Sequence, residues 1–221
     1  MSVAEDFVRS ACRLGPVPEV AEIRLHLADD VIGLWQRAED EFTADQPPPF
    51  WAFAWPGGQA LARYVLDHPG LVAGRTVLDL GSGSGLVAIA AAKAGAATVT
   101  ASEVDSLAVA AIGLNARANG VPAPAVTGDV LDGDGGDAAG ADVVLAGDVW
   151  YCRPLAERVL AFLDRAAARG ASVLAGDIGR AFLPRDRFRV LDARDIPVMA
   201  SLEDCGVKRT MVLRPIPGAP R

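Results

Sequence analysis

A run of glycines between a β-pattern and a helical pattern is the first place in this sequence where chemistry is indicated. Residues 77–92 read Val-Leu-Asp-Leu-Gly-Ser-Gly-Ser-Gly-Leu-Val-Ala-Ile-Ala-Ala-Ala. Glycine backbone can approach a small ligand closely, and the first turn of the helix that follows offers amide donors. The alternative is a glycine-rich turn with a capping serine. We expect a ligand site at the strand's carboxyl end, formed by Asp79, Gly81, Ser82, Gly83 and Gly85.

Acidic residues follow the next two predicted strands. Glu103 comes directly after residues 98–102, where one carboxylate can accept hydrogen bonds from both hydroxyls of a ribose. Asp129 follows residues 125–127 and can accept from an adenine amino group. Helix capping or a solvated loop is the alternative for both acids. The pattern predicts a nucleoside site that also includes the residues after the two acids, Val104 and Val130, the latter as an apolar wall.

Two kinds of nucleoside cofactor use glycines and an acid in this way. The dinucleotide fingerprint G-x-G-x-x-G would place its third glycine at position 86, which is Leu86. The acid at Asp79 and the acid after the third strand also argue against a nicotinamide dinucleotide. The shortened spacing resembles motif I of the seven-stranded methyltransferases. This resemblance predicts S-adenosylmethionine as the cofactor.

The fourth predicted strand is followed by groups that suit an amine acceptor. It ends in Gly147 and Asp148, and Trp150 and Tyr151 come next. A carboxylate can orient an ammonium group, and an aromatic ring can add a cation–π contact. Transfer needs the free amine, whereas the reference pKa of lysine is about 10.4. We therefore expect apolar surroundings to favour deprotonation and Asp148 to position the amine and accept its proton, with Trp150 and Tyr151 beside it.

Strand and helix patterns alternate from residue 76 onward, which predicts a parallel sheet. Together they indicate an α/β fold in which the last two strands form an antiparallel pair. With the resemblance of the glycine segment to motif I, this implies a Rossmann-like seven-stranded methyltransferase sheet with helices on both faces. Residues 132–140 are expected to be a flexible connection. The predicted strands are Thr76–Leu80, Thr98–Ser102, Ala125–Thr127, Ala141–Ala146, Ser172–Ala175, Arg187–Ile196 and Val207–Arg214; the helices between them are Gly85–Ala94, Leu107–Asn119 and Leu155–Ala168.

The region before this alternation divides at a proline run. Residues 1–49 are predicted to form a helical and strand extension that packs on the core, and residues 50–221 the main domain. Pro47–Pro49 impose an extended entry. Trp51 and Trp55, before the turn at Pro56, are expected to form a lid over the cofactor, with simple core packing as the alternative. A helix is predicted over 59–66.

Composition limits the possible partners. The chain has 221 residues, enough for one filled domain, and a formal net charge of −7. A basic nucleic-acid footprint and an apolar membrane span are both missing from the sequence, so neither partner is expected. The start of the sequence lacks a signal pattern, which favours a cytoplasmic location. Three dispersed cysteines and two histidines predict neither disulfides nor a metal site.

Two segments resemble one family closely. Residues 48–69, with Trp-Pro-Gly-Gly at their centre, are similar to the entry segment of the electron-transfer flavoprotein β-subunit lysine methyltransferases, which belong to the family 16 group of seven-β-strand enzymes. Residues 147–151 are similar to that group's motif after strand four, and 176–180, Gly-Asp-Ile-Gly-Arg, to its motif after strand five. Residues 189–213 match only loosely.

The resemblance implies a function and a set of site residues. It implies a protein lysine as acceptor, in the flavoprotein β-subunit or a ribosomal stalk protein, with Asp148 and Tyr151 at the target amine. A small-molecule N-methyltransferase acting on a nicotinamide-like amine is one alternative, and a non-catalytic cofactor-binding domain is another. The methyl number and the oligomeric state stay open. Around the cofactor it implies Trp55, Gly81, Gly83, Glu103, Asp129 and Gly147.

Overall fold

A computed structural model describes residues 2–42, 47–132, 140–198 and 206–217. Its strands are β1 (Arg13–Val17), β2 (Val20–Leu27), β3 (Thr76–Leu80), β4 (Thr98–Ser102), β5 (Ala125–Thr127), β6 (Val143–Gly147), β7 (Ser172–Asp177), β8 (Phe188–Pro197) and β9 (Val207–Pro215). Its helices are α1 (Val3–Ala11), α2 (Val31–Glu41), α3 (Pro56–Asp67), α4 (Leu86–Lys93), α5 (Ser106–Ala118) and α6 (Arg153–Ala168).

Seven strands form the main sheet in the order β5-β4-β3-β6-β7-β9-β8. The first five of these are parallel, and β9 pairs antiparallel with both β7 and β8. Strand β3 pairs with β4 on one side and β6 on the other, so the chain changes direction across the sheet at β3. In such sheets ligands bind at the carboxyl ends beside this switch point. The residues after β3, β4 and β6 therefore share one crevice.

The sheet separates two apolar clusters. Val77 and Leu145 pack with α3 and α4 on one face, whereas Leu78 and Val144 pack with α6 on the other. Neighbouring positions alternate between faces because side chains along a strand point in opposite directions. The predicted α/β fold is confirmed: seven strands, helices on both faces and an antiparallel final pair.

The N-terminal elements pack against α5. A third cluster joins Phe7 and Leu34 to Trp51 and Leu107, and β1 and β2 form an antiparallel hairpin beside it. Because Trp51 shares this cluster, the boundary between residues 49 and 50 stays a prediction. Among the described residues, none of the helices combines the length and apolarity needed to cross a bilayer.

Some elements differ from the predicted ones. Helix α3 begins at Pro56 instead of Gln59, with Pro56 as its first helical residue and Trp55 as its N-cap. Strand β7 runs to Asp177 instead of Ala175. Tertiary packing decides these ends, since the sequence around them carries turn residues. Most of the predicted connection 132–140 lies outside the described residues.

Candidate active site

The loop after β3 depends on glycine at each of its three glycine positions. The φ angles are +64° at Gly81, +52° at Gly83 and +80° at Gly85. Residues other than glycine rarely adopt this left-handed backbone region. A Cβ at Gly85 would also lie 3.3 Å from Ile112 Cγ1 on α5. The loop therefore follows a backbone conformation that needs glycine at these three positions, and it leads directly into α4.

Asp79 stabilises this loop from within the core. Its carboxylate accepts hydrogen bonds from the Ser82 hydroxyl and, at 3.0 Å, from the Ala88 amide of α4. Burial raises the pKa of Asp79 to about 6, although these two hydrogen bonds act in the opposite direction. Asp79 thus shapes the loop and the start of α4, and direct contact with a ligand stays a prediction.

Glu103 lies across the crevice from the glycine loop. One carboxylate oxygen accepts from the Gly83 amide at 2.8 Å, and the other accepts from the amides of Val104 and Asp105 at 2.7 and 3.0 Å. Asp105 itself caps α5 by accepting from the Leu107 amide. The structure therefore brings Glu103 to the glycine loop, where the sequence predicts it, and leaves Val104 largely exposed.

Asp129 makes contacts of a different kind. It accepts from Arg158 of α6 at 2.7 Å and from the Leu131 amide at 2.9 Å. Partial burial works against its charge, but these two bonds hold the pKa of Asp129 below its ordinary value. Val130 is buried in the cluster on the α6 face. Roles for Asp129 and Val130 against an adenine ring stay predictions.

The first turn of α3 packs directly on the carboxyl ends of β6 and β7. A Cβ at Gly57 would lie 2.3 Å from the Gly176 carbonyl oxygen, and one at Gly147 would lie 3.0 Å from Gly58 Cα. A side chain at Gly57 would force the backbone to shift, and one at Gly147 would be tightly crowded. The Trp-Pro-Gly-Gly segment and the two Gly-Asp pairs at 147–148 and 176–177 are therefore parts of one close backbone contact.

Asp148 occupies the point where these elements meet. It alone among the described non-glycine residues has a positive φ, +56°. One oxygen accepts from the Gly58 amide at 2.7 Å, and the other lies 3.4 Å from Arg180 Nη2. Burial raises its pKa to about 7; Arg180 opposes this effect and Asp177 adds to it. A strained, buried carboxyl that titrates near neutrality is typical of a proton acceptor.

Two residues beside Asp148 are absent from the predicted site. Asp177, at the end of β7, is fully buried and accepts from the amides of Gly179 and Arg180 at 2.6 and 2.7 Å. The Arg180 guanidinium lies 5.7 Å from the centre of the Trp55 ring. Residues 176–180 enter the prediction only through their resemblance to a family motif. The available signal was an acid at the end of an apolar strand, the same signal that identifies Asp148.

Aromatic rings border this site, but they are not all the predicted ones. Trp55 Nε1 donates to the Phe50 carbonyl at 2.8 Å, and the Phe50 ring lies 5.5 Å from that of Tyr151. Tyr151 is half exposed at the surface. Trp150, in contrast, is fully buried and packs edge-on against Phe188, 5.4 Å away. The prediction of Trp150 beside the amine is wrong, because its indole belongs to the core.

The two tryptophans of the predicted lid lie in different places. Trp55 lies at the site, under Arg180 and against Phe50. Trp51 is buried in the N-terminal cluster, which is the core alternative. Within the described ranges, His, Cys, Asp and Glu side chains form no group of three or more that could hold a metal ion.

Comparison with known proteins assigns this arrangement to a family. The model described as Ribosomal protein L11 methyltransferase (PrmA) matches residues 60–175, more than half of the chain. The chain belongs to the ribosomal protein L11 methyltransferase (PrmA) family. The matched residues begin in α3 and end in β7. They therefore include the glycine loop, Glu103 and Asp148.

Individual relatives of this PrmA-family chain have two kinds of name. It is 42% identical over 161 residues to the electron transfer flavoprotein beta subunit lysine methyltransferase of Rattus norvegicus, covering 72% of this chain and 61% of that protein. It is 38% identical over 127 residues to the ribosomal protein L11 methyltransferase of an Exiguobacterium species, covering 55% of this chain and 36% of that protein. The chain thus spans less than two thirds of the length of these relatives.

Solved structures agree with the PrmA-family assignment at the level of fold. The magnesium protoporphyrin IX methyltransferase of Synechocystis, solved with bound SAM, superposes with a TM-score of 0.53 at 16% identity. The superposition covers 86% of this chain and 99% of that one. The fold is therefore the class I methyltransferase fold that the sequence predicts.

Proposed function

We propose that this protein is an S-adenosylmethionine-dependent N-methyltransferase whose acceptor is a lysine of a protein. The observation that carries the proposal is the placement of Asp148. Burial of its carboxyl raises the pKa of Asp148 to about 7. The next residue, Val149, packs on the glycine loop, since its Cγ1 would lie 3.4 Å from a Cβ at Gly81. A cofactor loop and a proton acceptor are thus adjacent at the sheet's switch point.

The residues of the crevice suit S-adenosylmethionine. The left-handed glycines at 81, 83 and 85 present bare backbone, and Glu103 supplies two carboxylate oxygens beside them. We assign Glu103 to the ribose hydroxyls, Asp129 to the adenine amino group and Trp55 to the wall near the methyl group. When bound, the cofactor supplies an electrophilic methyl group on a sulfonium. Every other requirement of the reaction falls to the protein.

Asp148 meets the main requirement, which is removal of a proton. A lysine with a reference pKa of about 10.4 is protonated at neutral pH and has no lone pair to offer. A carboxyl whose pKa is about 7 is matched to proton transfer under these conditions. Its bond with the Gly58 amide fixes one oxygen, so that the other faces Arg180 and the entering amine. Tyr151 and Phe50 line the exposed approach.

The names of the relatives suggest the acceptor. The β subunit of electron-transfer flavoprotein is our first candidate, and ribosomal protein L11 of the stalk is the second because the family model carries its name. A small nicotinamide-like amine and a binding-only role are the alternatives that the test must exclude. The cytoplasmic location expected from the sequence stays a prediction.

A transfer assay distinguishes these possibilities. The protein is incubated with methyl-labelled S-adenosylmethionine and one of three acceptors: the flavoprotein β subunit, ribosomal protein L11 or nicotinamide. We expect label on lysine of the β subunit, located by peptide mass spectrometry. Label only on L11 or only on nicotinamide would replace our acceptor with that one. Cofactor binding in calorimetry without transfer to any protein of a lysate would support the binding-only role instead.

A further inference from the structure

A second charged group is built into the transfer site. The Arg180 guanidinium lies between two carboxyls, with Nη2 3.4 Å from Asp148 Oδ1 and Nε 4.0 Å from Asp177 Oδ2. Its side chain is only 19% exposed, and the Trp55 ring lies 5.7 Å beneath it. A fixed cation therefore stands where an entering lysine ammonium would meet Asp148.

The backbone that carries Arg180 is held firmly. Both its own amide and that of Gly179 donate to one oxygen of Asp177, at 2.7 and 2.6 Å. Gly179 has a φ of +88°, and its carbonyl accepts from Arg185 at 2.6 Å. The turn after β7 thus directs the guanidinium back over the site by its own hydrogen bonds, before any ligand arrives.

The charges around the amine position depend on this residue. Asp148 comes from β6 and Asp177 from β7, while α3 contributes an uncharged amide at Gly58. Arg185 acts mainly on Asp177, and Tyr151 after β6 is neutral at neutral pH because burial raises its pKa further. Without Arg180, the repulsion between Asp148 and the buried Asp177 would have no cation to offset it. Asp148 would then keep its own proton to a higher pH and could not accept one from the amine.

We propose that Arg180 is a positioning residue for methyl transfer, which holds the Asp148 carboxylate against the Gly58 amide and offsets its charge so that the acceptor amine can lose its proton. This inference rests on the proposed function. It concerns a residue that the sequence comparison leaves without a role. The expected size follows from Coulomb's law, since a unit charge at roughly 6 Å in an effective dielectric of about 20 shifts a titration by about one to two pH units.

The kinetic test compares charge-removing and charge-keeping variants. Arg180→Gln and Arg180→Met remove the charge, and Arg180→Lys keeps it. With the flavoprotein β subunit as acceptor, we expect the kcat profile of the neutral variants to move about one to two pH units upward, with kcat at neutral pH about tenfold lower and KM not raised. Arg180→Lys should restore most of the profile. Lower kcat at every pH without a shift would mean a purely structural role and would overturn the inference.

The control is another partly buried arginine, seven residues further along the chain. Arg187 pairs with Asp164 at 2.7 Å, and its side chain is 12% exposed, but it lies outside the site. Arg187→Gln should leave the pH profile in its wild-type position. If it moves the profile as far as Arg180→Gln does, the effect is a general loss of an ion pair and the inference fails.

A second measurement needs no acceptor. The carboxyl carbon of Asp148 is titrated by NMR, assigned by its loss in Asp148→Asn, in the wild-type protein and in the neutral Arg180 variants. Because Arg180 lowers the pKa of Asp148, the midpoint should rise by about one unit or more when the charge is removed. An unchanged midpoint in a folded variant overturns the inference. Absence of transfer by the wild-type protein would refute only the proposed function, since the titration still reports on Arg180.

Discussion

Asp148 combines a strained backbone, a buried carboxyl and a charged neighbour in one residue. Its φ is +56°, and one of its carboxylate oxygens accepts from the Gly58 amide of α3 at 2.7 Å. Strain of this kind persists only where surrounding structure enforces it. Here two hydrogen bonds hold the conformation: the Gly58 amide donates to the Asp148 carboxylate, and the Asp148 amide donates to the Gly176 carbonyl at 2.9 Å. The geometry thus costs stability and gains a proton acceptor.

Asp148→Asn tests that role directly. The amide keeps an oxygen for the Gly58 bond but cannot accept a proton, so we expect kcat to fall at least about 100-fold. Cofactor affinity, measured by calorimetry, should stay within about threefold of wild type. In the wild-type protein the rate should rise with pH through about 7, since only the ionised form of Asp148 accepts a proton.

Asp164→Asn is the matched control, since Asp164 of α6 is paired with Arg187 and has no described hydrogen bond or ion pair with Asp148, Arg180 or Gly58. It should transfer methyl groups at the wild-type rate. Asp148→Asn with more than about a tenth of wild-type kcat would show that proton acceptance lies elsewhere.

Asn115 of α5 links the N-terminal hairpin to the glycine loop. It is fully buried, accepts from the His26 amide at 2.8 Å and donates to the Ser84 carbonyl at 2.8 Å. Asn115→Asp would turn a carboxylate oxygen against that carbonyl. We expect about tenfold weaker cofactor binding and a loss of about 1–3 kcal/mol in unfolding free energy.

Asn119, the C-cap of the same helix and one turn after Asn115, separates the two effects. Its amide donates to the Arg24 carbonyl at 2.6 Å and does not reach the glycine loop. Asn119→Asp should therefore destabilise the protein without changing cofactor affinity in calorimetry. Equal losses of affinity in both variants would refute a specific link between Asn115 and the loop.

At the scale of elements, the contact between α3 and the strand ends decides the site. Gly57 and Gly58 are neighbours with different surroundings: a Cβ at Gly57 meets the Gly176 carbonyl oxygen at 2.3 Å, whereas one at Gly58 meets nothing closer than 3.9 Å. Gly57→Ala should lower the free energy of unfolding by about 1–3 kcal/mol, measured in urea. Gly58→Ala should be neutral or raise it by up to about 1 kcal/mol, because alanine favours a helix. Similar changes in unfolding free energy for the two variants would contradict the close contact between Gly57 and the Gly176 carbonyl.

The same contact shows what could be predicted from sequence. Three strand bounds, β3, β4 and β5, were predicted to the residue, because short runs with β-branched residues stop there at Gly81, Glu103 and Gly128. The start of α3 was missed, since its glycines look like a turn until Gly147 and Gly176 are known to lie against them. Trp150 was misplaced for a related reason. A pattern gives the direction of a strand, but not which of two adjacent rings beyond its end turns back into the core.

At the scale of the whole molecule, buried acids make stability depend on pH. The pKa of Asp148 is raised from its ordinary value of 3.8 to about 7, so the folded protein binds more protons than the unfolded chain between those values. Stability from this group is therefore present at low pH and is lost as pH rises toward 7. Asp79, whose pKa is raised to about 6 by burial, acts in the same direction. The glycine loop and the transfer site both add to this loss.

Comparing wild type with Asp148→Asn isolates one group, because Asp79 and Asp177 titrate in both proteins. The asparagine does not ionise, so its unfolding free energy relative to wild type should increase by about 2–4 kcal/mol between about pH 4 and pH 7, and then stay level. Urea unfolding at several pH values across that window measures the difference. A difference that is constant with pH would mean that Asp148 ionises in the folded protein as easily as in the unfolded chain. It would then be an ordinary exposed acid, and the placement on which the proposed reaction depends would be wrong.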